Sequence, residues 1–153
     1  MPKTIKASEL PGLAGRELEP SEWLEITQER VNQFADATND HQFIHVDIDK
    51  AGATPLGGTI AHGFLSLSLL TYLTTQNALL PDNLAMVLNY GSDKVRYLAP
   101  VRVGKRIRAR QTINDVTEKQ PGRWLLKTDV TVEIEGEKTP ALVAETLMMY
   151  ILS

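Results

Sequence analysis

The sequence contains no cysteine. That removes a disulfide framework, a thiolate zinc site and a cysteine nucleophile together, so nucleophilic or acid/base chemistry must use carboxylates, histidine or hydroxyls. Nor is there an excess of positive charge: 16 basic side chains stand against 19 acidic ones, and the isoelectric point is near 5.6. Such a chain lacks the broad positive field of a general nucleic-acid binder, although a local basic patch or a small anionic ligand remains compatible with it. Long apolar runs are missing as well. The opening MPKTIKASELPGLAG is broken repeatedly by Pro and Gly and has no continuous apolar stretch of the kind a secretion signal requires. The longest apolar segment, 64–80, is interrupted by Ser66, Ser68, Thr71, Thr74, Thr75, Gln76 and Asn77 and falls short of the roughly 20 apolar residues of a membrane span. The expectation is a cytoplasmic protein without a membrane partner, in which this segment is a buried helix.

Internal repeats and low-complexity tracts are absent too, and 153 residues suit one domain that buries its core without staples. Residues 1–20 carry Pro2, Pro11, Gly12, Gly15 and Pro20 without a clear period, which predicts an N-terminal arm or irregular lead-in ahead of a single domain over 21–153. SEWLEI suits a short strand. Thr27 then offers a hydroxyl cap to a helix in which Val31, Phe34, Ala35 and Thr38 recur at helical spacing, and Asn39 suits its left-handed end. After the loop AGATPLGG, the stretch TIAHGFLSLSLLTYLTTQNALL reads as one long, mostly apolar helix, which must be wrapped by something else. AMVLNYG, DKVRYLA, RIRARQTINDVTE, WLLKTDVTVEIEG and ALVAETLMMYIL read as strands, with EKQPGR and EGEK as turns. Helices followed by consecutive strands predict an α+β domain whose antiparallel sheet wraps the central helix, the arrangement called a hotdog fold.

Three constellations could carry chemistry. NDHQFIHVD, residues 39–47, holds His41 and His45 at a spacing that puts two metal ligands on one helical face. Asn39 and Asp40 sit where the preceding helix should end, however, and no glutamate follows His41, so no metal is expected; nor is a cofactor. Asp40 and His45, five positions apart, would point about 140° away from each other on a helix. In a loop that turns back they can converge on one small molecule as an acid/base pair, and the same two residues also suit a turn cap and a backbone hydrogen bond. In GGTIAHGF, backbone N–H groups near His62 and Gly63 open a helix and should be unpaired; Gly63 lets a carbonyl approach its N–H closely, or simply lets the helix pack tightly. His62 reads as a cap or a buried histidine. The third feature is basic: Lys94, Arg96, Arg102, Lys105, Arg106, Arg108 and Arg110. Arg106, Arg108 and Arg110 alternate and share a strand face, which is either a solvated sheet face or a phosphate-binding surface.

Together, ATNDHQFIHVDIDKA and GGTIAHGFLSLSLL resemble the MaoC-like family of (R)-specific enoyl-CoA hydratases, most closely its NodN-like branch. The family motif has an Asp, four intervening residues and a His, then a His-Gly pair that opens the central helix; Asp40, His45, His62 and Gly63 match it in order and spacing. Gln42 and Phe43 stand where the commoner pattern has Asn-Pro. The resemblance extends through LNYGSDKVRYLAPVRVG and covers most of the chain after Ser21. It implies a hotdog fold and reversible addition of water to a trans-2-enoyl thioester, a reaction of fatty acid metabolism, with acyl-CoA as the substrate. Asp40 and His45 would activate the water, the Gly63 N–H would bind the thioester oxygen, and Thr71 would support the catalytic pair. Arg96, Arg106 and Arg108 are candidates for the phosphates of coenzyme A. A homodimer is implied, with strands of two subunits in one continuous sheet. Two other readings of the same scaffold are a thioesterase and a non-catalytic acyl-thioester binding subunit.

Overall fold

The alternation in WLLKTDVTVEI organises the sheet. In a computed structural model of the chain, which describes Met1–Ser153, this stretch lies in a strand from Arg123 to Ile134 that buries Leu126, Thr128, Val130, Val132 and Ile134. The intervening residues are less buried, as a pleated strand with one face on a core requires. In chain order the elements are β1 (Lys3–Ile5), a 3-10 helix (Ala7–Leu13), β2 (Glu17–Leu18), β3 (Leu24–Glu25), α1 (Gln28–Thr38), α2 (Phe43–Val46), α3 (Ile48–Gly52), α4 (Gly63–Ser68), α5 (Leu70–Thr75), β4 (Leu79–Pro81), β5 (Leu84–Tyr97), β6 (Arg106–Gln120), β7 (Arg123–Ile134) and β8 (Leu142–Leu152). The main sheet runs β2–β6–β7–β8–β5, antiparallel throughout, with β3 also on β6. Leu65, Leu69, Leu70 and Leu73 from the helices meet Ile107, Val130, Val132 and Leu142 from the sheet in one buried cluster. This is the expected α+β hotdog arrangement. No helix is long and apolar enough to cross a membrane.

Three local expectations change. The central helix is not one rod reaching Leu80: Leu69 interrupts it, it ends at Thr75, and Leu79 and Leu80 enter β4, which pairs in parallel with β1. The polar interruptions account for this. Ser68, Thr74 and Thr75 turn their hydroxyls back onto the carbonyls of Phe64, Leu70 and Thr71 at 2.7–2.8 Å, which loosens a helix, and the Asn77 amide captures Pro20 O at 2.8 Å just past its end. AMVLNYG and DKVRYLA form a single strand, β5, whose register slips between Asn89 and Gly91 and again between Asp93 and Arg96, with Lys94 at φ 54°.

The lead-in is the third change. Residues 1–20, expected as an irregular arm, carry β1, the 3-10 helix and β2, and they bury Leu10, Leu13 and Leu18 in a second cluster with Leu79, Ile113, Leu126 and Tyr150. Leu10 and Leu13 are three apart, the period of a 3-10 turn, so they share one face in an element too short for a helical pattern.

β5 pairs with β8 on one side only. Its other edge is open, and Met86, Leu88 and Tyr90 on it are 51 %, 49 % and 64 % exposed.

Candidate active site

Thr27 caps α1 by accepting from the Arg30 N–H at 3.2 Å, and Asn39 closes the helix in the left-handed conformation at φ 58°. Asp40 therefore falls outside the helix, where its Oδ1 accepts from the Gln42 N–H at 3.4 Å. The chain then turns into the single turn of α2, which buries His45. This break between two helices brings Asp40 and His45 to one spot, as a continuous helix could not. Gln28 locks the turn from α1: its amide donates to His45 O at 2.7 Å and its carbonyl accepts from the Thr59 hydroxyl. Thr59 begins the extended run that leads to His62 and α4.

His45 Nδ1–H donates to the Ile60 carbonyl at 2.7 Å. A carbonyl only accepts, so Nδ1 carries the proton and Nε2 keeps the lone pair of the neutral ring. Burial pushes the His45 imidazole below its usual range, outweighing the Ile60 hydrogen bond and the Asp40 charge, and the neighbouring His62 pushes in the same direction as burial. His62, also buried, donates from Nε2 to Asp40 O at 2.9 Å, and its ring stacks on that of His45 with centroids 3.8 Å apart. Asp40, His45 and His62 thus offer ligand atoms within 4.8 Å of one another.

The donor geometry does not suit a metal ion. His62 Nε2 is engaged with a carbonyl, and two rings inclined by only 22° send their in-plane lone pairs side by side, not toward a common centre. His41 is not part of the group: it lies ahead of α2, exposed, and pairs with Asp36 at 2.8 Å. Asp47 caps α3 by accepting from the Lys50 N–H at 3.0 Å.

Gly63 opens α4. The first N–H groups of this helix to find an acceptor are those of Leu65 and Ser66, both on His62 O, which leaves the Gly63 N–H unpaired. It borders an apolar cavity of about 410 Å³ that also reaches His45, Phe64, Ser66, Tyr97 and Leu98. A methyl group on Gly63 would stand 2.9 Å from the Tyr97 ring, so the glycine serves packing as well as access. Asp40, its side chain 53 % exposed, lies behind His45 as seen from the cavity, close to both histidines and outside the lining itself. A histidine with a fixed tautomer and a free N–H thus border one apolar pocket, with a half-solvated carboxylate close to the histidine, which suits activation of a water beside a carbonyl compound.

The family profile described as MaoC like domain matches residues 9–137, most of the chain. The chain belongs to the MaoC-like family. It is 45 % identical over 144 residues to the 3-hydroxyacyl-thioester dehydratase Z of Mycobacterium tuberculosis, covering 94 % of this chain and 95 % of that protein. It is equally 45 % identical over 141 residues to Nodulation protein N of Rhizobium meliloti, covering 92 % and 88 %. Among solved structures, the (R)-hydratase from A. caviae involved in PHA biosynthesis superposes with a TM-score of 0.72 at 20 % identity, over 88 % of this chain and 94 % of that one, and shares the fold.

Within this MaoC-like chain the other candidates separate. Thr71 is exposed and lines a different cavity of about 400 Å³, with Asn89, Tyr90 and Thr146, so one chain does not bring it to Asp40 and His45. Arg106 and Arg108 do not offer free charge for phosphates: Arg106 forms a two-pronged pair with Glu135, and Arg108 bonds Glu133 at 2.6 Å while lying over the Trp23 ring. Both alternate with the buried Ile107 and Ala109, so they point away from the core side of the sheet. Arg110 pairs with Glu17 in the same way. Arg96 is exposed and meets no carboxylate. Sequence reasoning passed over Ser66, which is 3 % exposed and lines the cavity. Its position three residues after Gly63, on the same helical face, was the available signal.

Proposed function

We propose that this MaoC-like protein is an (R)-specific 2-enoyl-CoA hydratase and 3-hydroxyacyl-thioester dehydratase, acting in the cytoplasm as a homodimer. The observation that carries the reading is the buried His45, held by Ile60 through Nδ1 so that Nε2 is left without a partner, in the wall of the cavity that Gly63 borders and with Asp40 close by. As a hydro-lyase it binds the trans-2-enoyl thioester with its acyl chain in that cavity and its carbonyl oxygen on the Gly63 N–H. Asp40 and His45 hold one water between them. As the water O–H breaks, its oxygen bonds C3, and the electron pair of the double bond moves toward the thioester oxygen, where the Gly63 N–H stabilises it. A proton returned from the pair to C2 on the same face completes the (R)-3-hydroxyacyl product. Dehydration is the reverse.

The open edge of β5 and its apolar residues support the dimer, because an unpaired strand of this length with half-exposed Met86, Leu88 and Tyr90 is a ready template for a second copy. Light scattering of the purified protein tests that state. Loss of the enoyl absorbance of crotonyl-CoA and longer enoyl-CoAs, without release of free thiol, is the result expected of the enzyme. Thiol release with the double bond intact would identify a thioesterase, and ligand-induced thermal stabilisation without turnover a binding subunit.

A further inference from the structure

His62 joins Asp40 to His45. Its ring is 3 % exposed, its Nε2–H bridges 22 residues of chain to the Asp40 carbonyl at 2.9 Å, and it lies 4.0 Å from Oδ2 of the Asp40 carboxylate. One ring face rests on His45 at 3.8 Å, and Phe34 stands 5.0 Å from the same ring. The next residue is Gly63. We propose that His62 is a positioning residue for the acid/base pair: its edge anchors the Asp40 main chain and its face forms the shelf for the His45 ring, so that carboxylate and Nε2 stay aimed at one water. This rests on the hydratase reading above.

A merely structural role explains the residue poorly. His62 occupies the cap position of α4, yet its side chain makes no capping hydrogen bond. Its Nδ1 is buried without a partner, an expense that an apolar residue of similar shape would avoid. The hydrogen bond it does make goes where the site is loosest. Asp40 follows a left-handed residue, its side chain is half in solvent, and its other main-chain tether is a 3.2 Å bond to Ala35 O. A reacting group displaced by about 1 Å can lose about 100-fold in rate. The titratable groups that face His45 are His62 and Asp40, which act on its proton affinity in opposite directions. Burial and the Ile60 hydrogen bond remain the larger influences on His45, and removing the imidazole at 62 leaves Asp40 as the one titratable group acting on it beside them.

The test uses two variants of the full chain. His62→Phe keeps a flat ring against His45 and removes the donor to Asp40 O; kcat for enoyl-CoA hydration should fall about 100-fold with KM little changed. His62→Gln restores a donor near the Nε2 position and should return kcat to within about tenfold of the parent. With only three histidines in the chain, NMR follows each ring separately, and the His45 titration should move up in both variants. Parent-like kcat in His62→Phe, or an unmoved His45 titration, overturns the proposal. If His62→Phe does not fold, His62→Gln decides: near-parent kcat with a raised His45 titration supports positioning, and an unmoved titration overturns it. If the parent protein hydrates no enoyl thioester, the functional reading fails, while the two titrations still decide whether His62 sets the state of His45.

Discussion

Ionisable side chains gather in two places in this molecule, and the two places treat them oppositely. On the outer face of β6 and β7, Arg106, Arg108 and Arg110 each meet a carboxylate, those of Glu135, Glu133 and Glu17. Around α2 and the start of α4, Asp40 and His45 keep binding capacity to spare: a half-exposed carboxylate that meets no cation and accepts only a long bond from the Gln42 N–H, and, on a residue that lines the cavity, an imidazole Nε2 without a partner. Charge density alone would have chosen the arginine face. Availability chooses the other, because a group whose charge is already paired has little left to offer a ligand, whereas one held by its far side and free on the near side is prepared for one.

The strongest way to break that contrast is to remove the free groups. Asp40→Asn and His45→Gln should each lower kcat by about 100- to 10,000-fold, the range expected when a positioned acid or base is lost, while circular dichroism shows an unchanged fold. Full activity in either would mean that the unsatisfied atoms are not the working ones. Next comes Gly63→Ala. The added methyl obstructs a carbonyl approaching the N–H, which should cost about 100-fold in kcat, and it meets the Tyr97 ring at 2.9 Å, which should destabilise the fold by about 1–3 kcal/mol. Combining it with Tyr97→Leu separates the two roles: thermal stability should recover while kcat stays low. If both recover, Gly63 serves packing alone.

The two regions should also differ in pH response. Burial holds the His45 proton affinity below its usual value of 6.5. Above that pH the ring is neutral in both folded and unfolded chains, so it contributes nothing to a pH slope. As pH falls below 6.5 the unfolded chain takes up the proton first, and stability is lost until the folded ring is protonated too. Activity needs the Nε2 lone pair, so the acidic limb of kcat/KM should likewise lie below 6.5. Thermal melts and a pH–rate profile across mildly acidic pH measure both, and an acidic limb at or above the usual histidine range would contradict the buried, neutral ring.

The sequence made the scaffold legible because periodicity is local. The alternation of β7, the cap at Thr27 and the left-handed Asn39 follow from a few adjacent residues each. What escaped depended on contacts across long stretches of chain. The lead-in showed no period, yet Leu10 and Leu13 pack against Ile113 and Tyr150. The end of the central helix is not legible either, because apolar content does not reveal that Asn77 will bind Pro20 O. The closeness of Asp40 to His45, and the cavity that His45 shares with Gly63, are legible because the motif spacing encodes them. Nothing in the spacing shows the His62 ring lying on His45, and a stripe of cations does not display the glutamates opposite it on β7 and beyond, so the choice between a solvated face and a phosphate surface is not legible there.

The basic residues allow the finest test of the contrast. Arg108→Gln removes a cation that Glu133 and the Trp23 ring already occupy, so KM for a coenzyme A thioester should not change. Arg96→Gln removes one that meets no carboxylate and directly precedes Tyr97, a residue of the cavity wall, so KM should rise while kcat holds, the pattern of lost ground-state binding. The rise should shrink as salt is added, because an exposed cation acting on phosphate is screened within roughly 10 Å at moderate ionic strength. Were Arg108→Gln to raise KM and Arg96→Gln to leave it alone, a paired charge would be the better ligand, and the principle drawn from the two regions would be wrong.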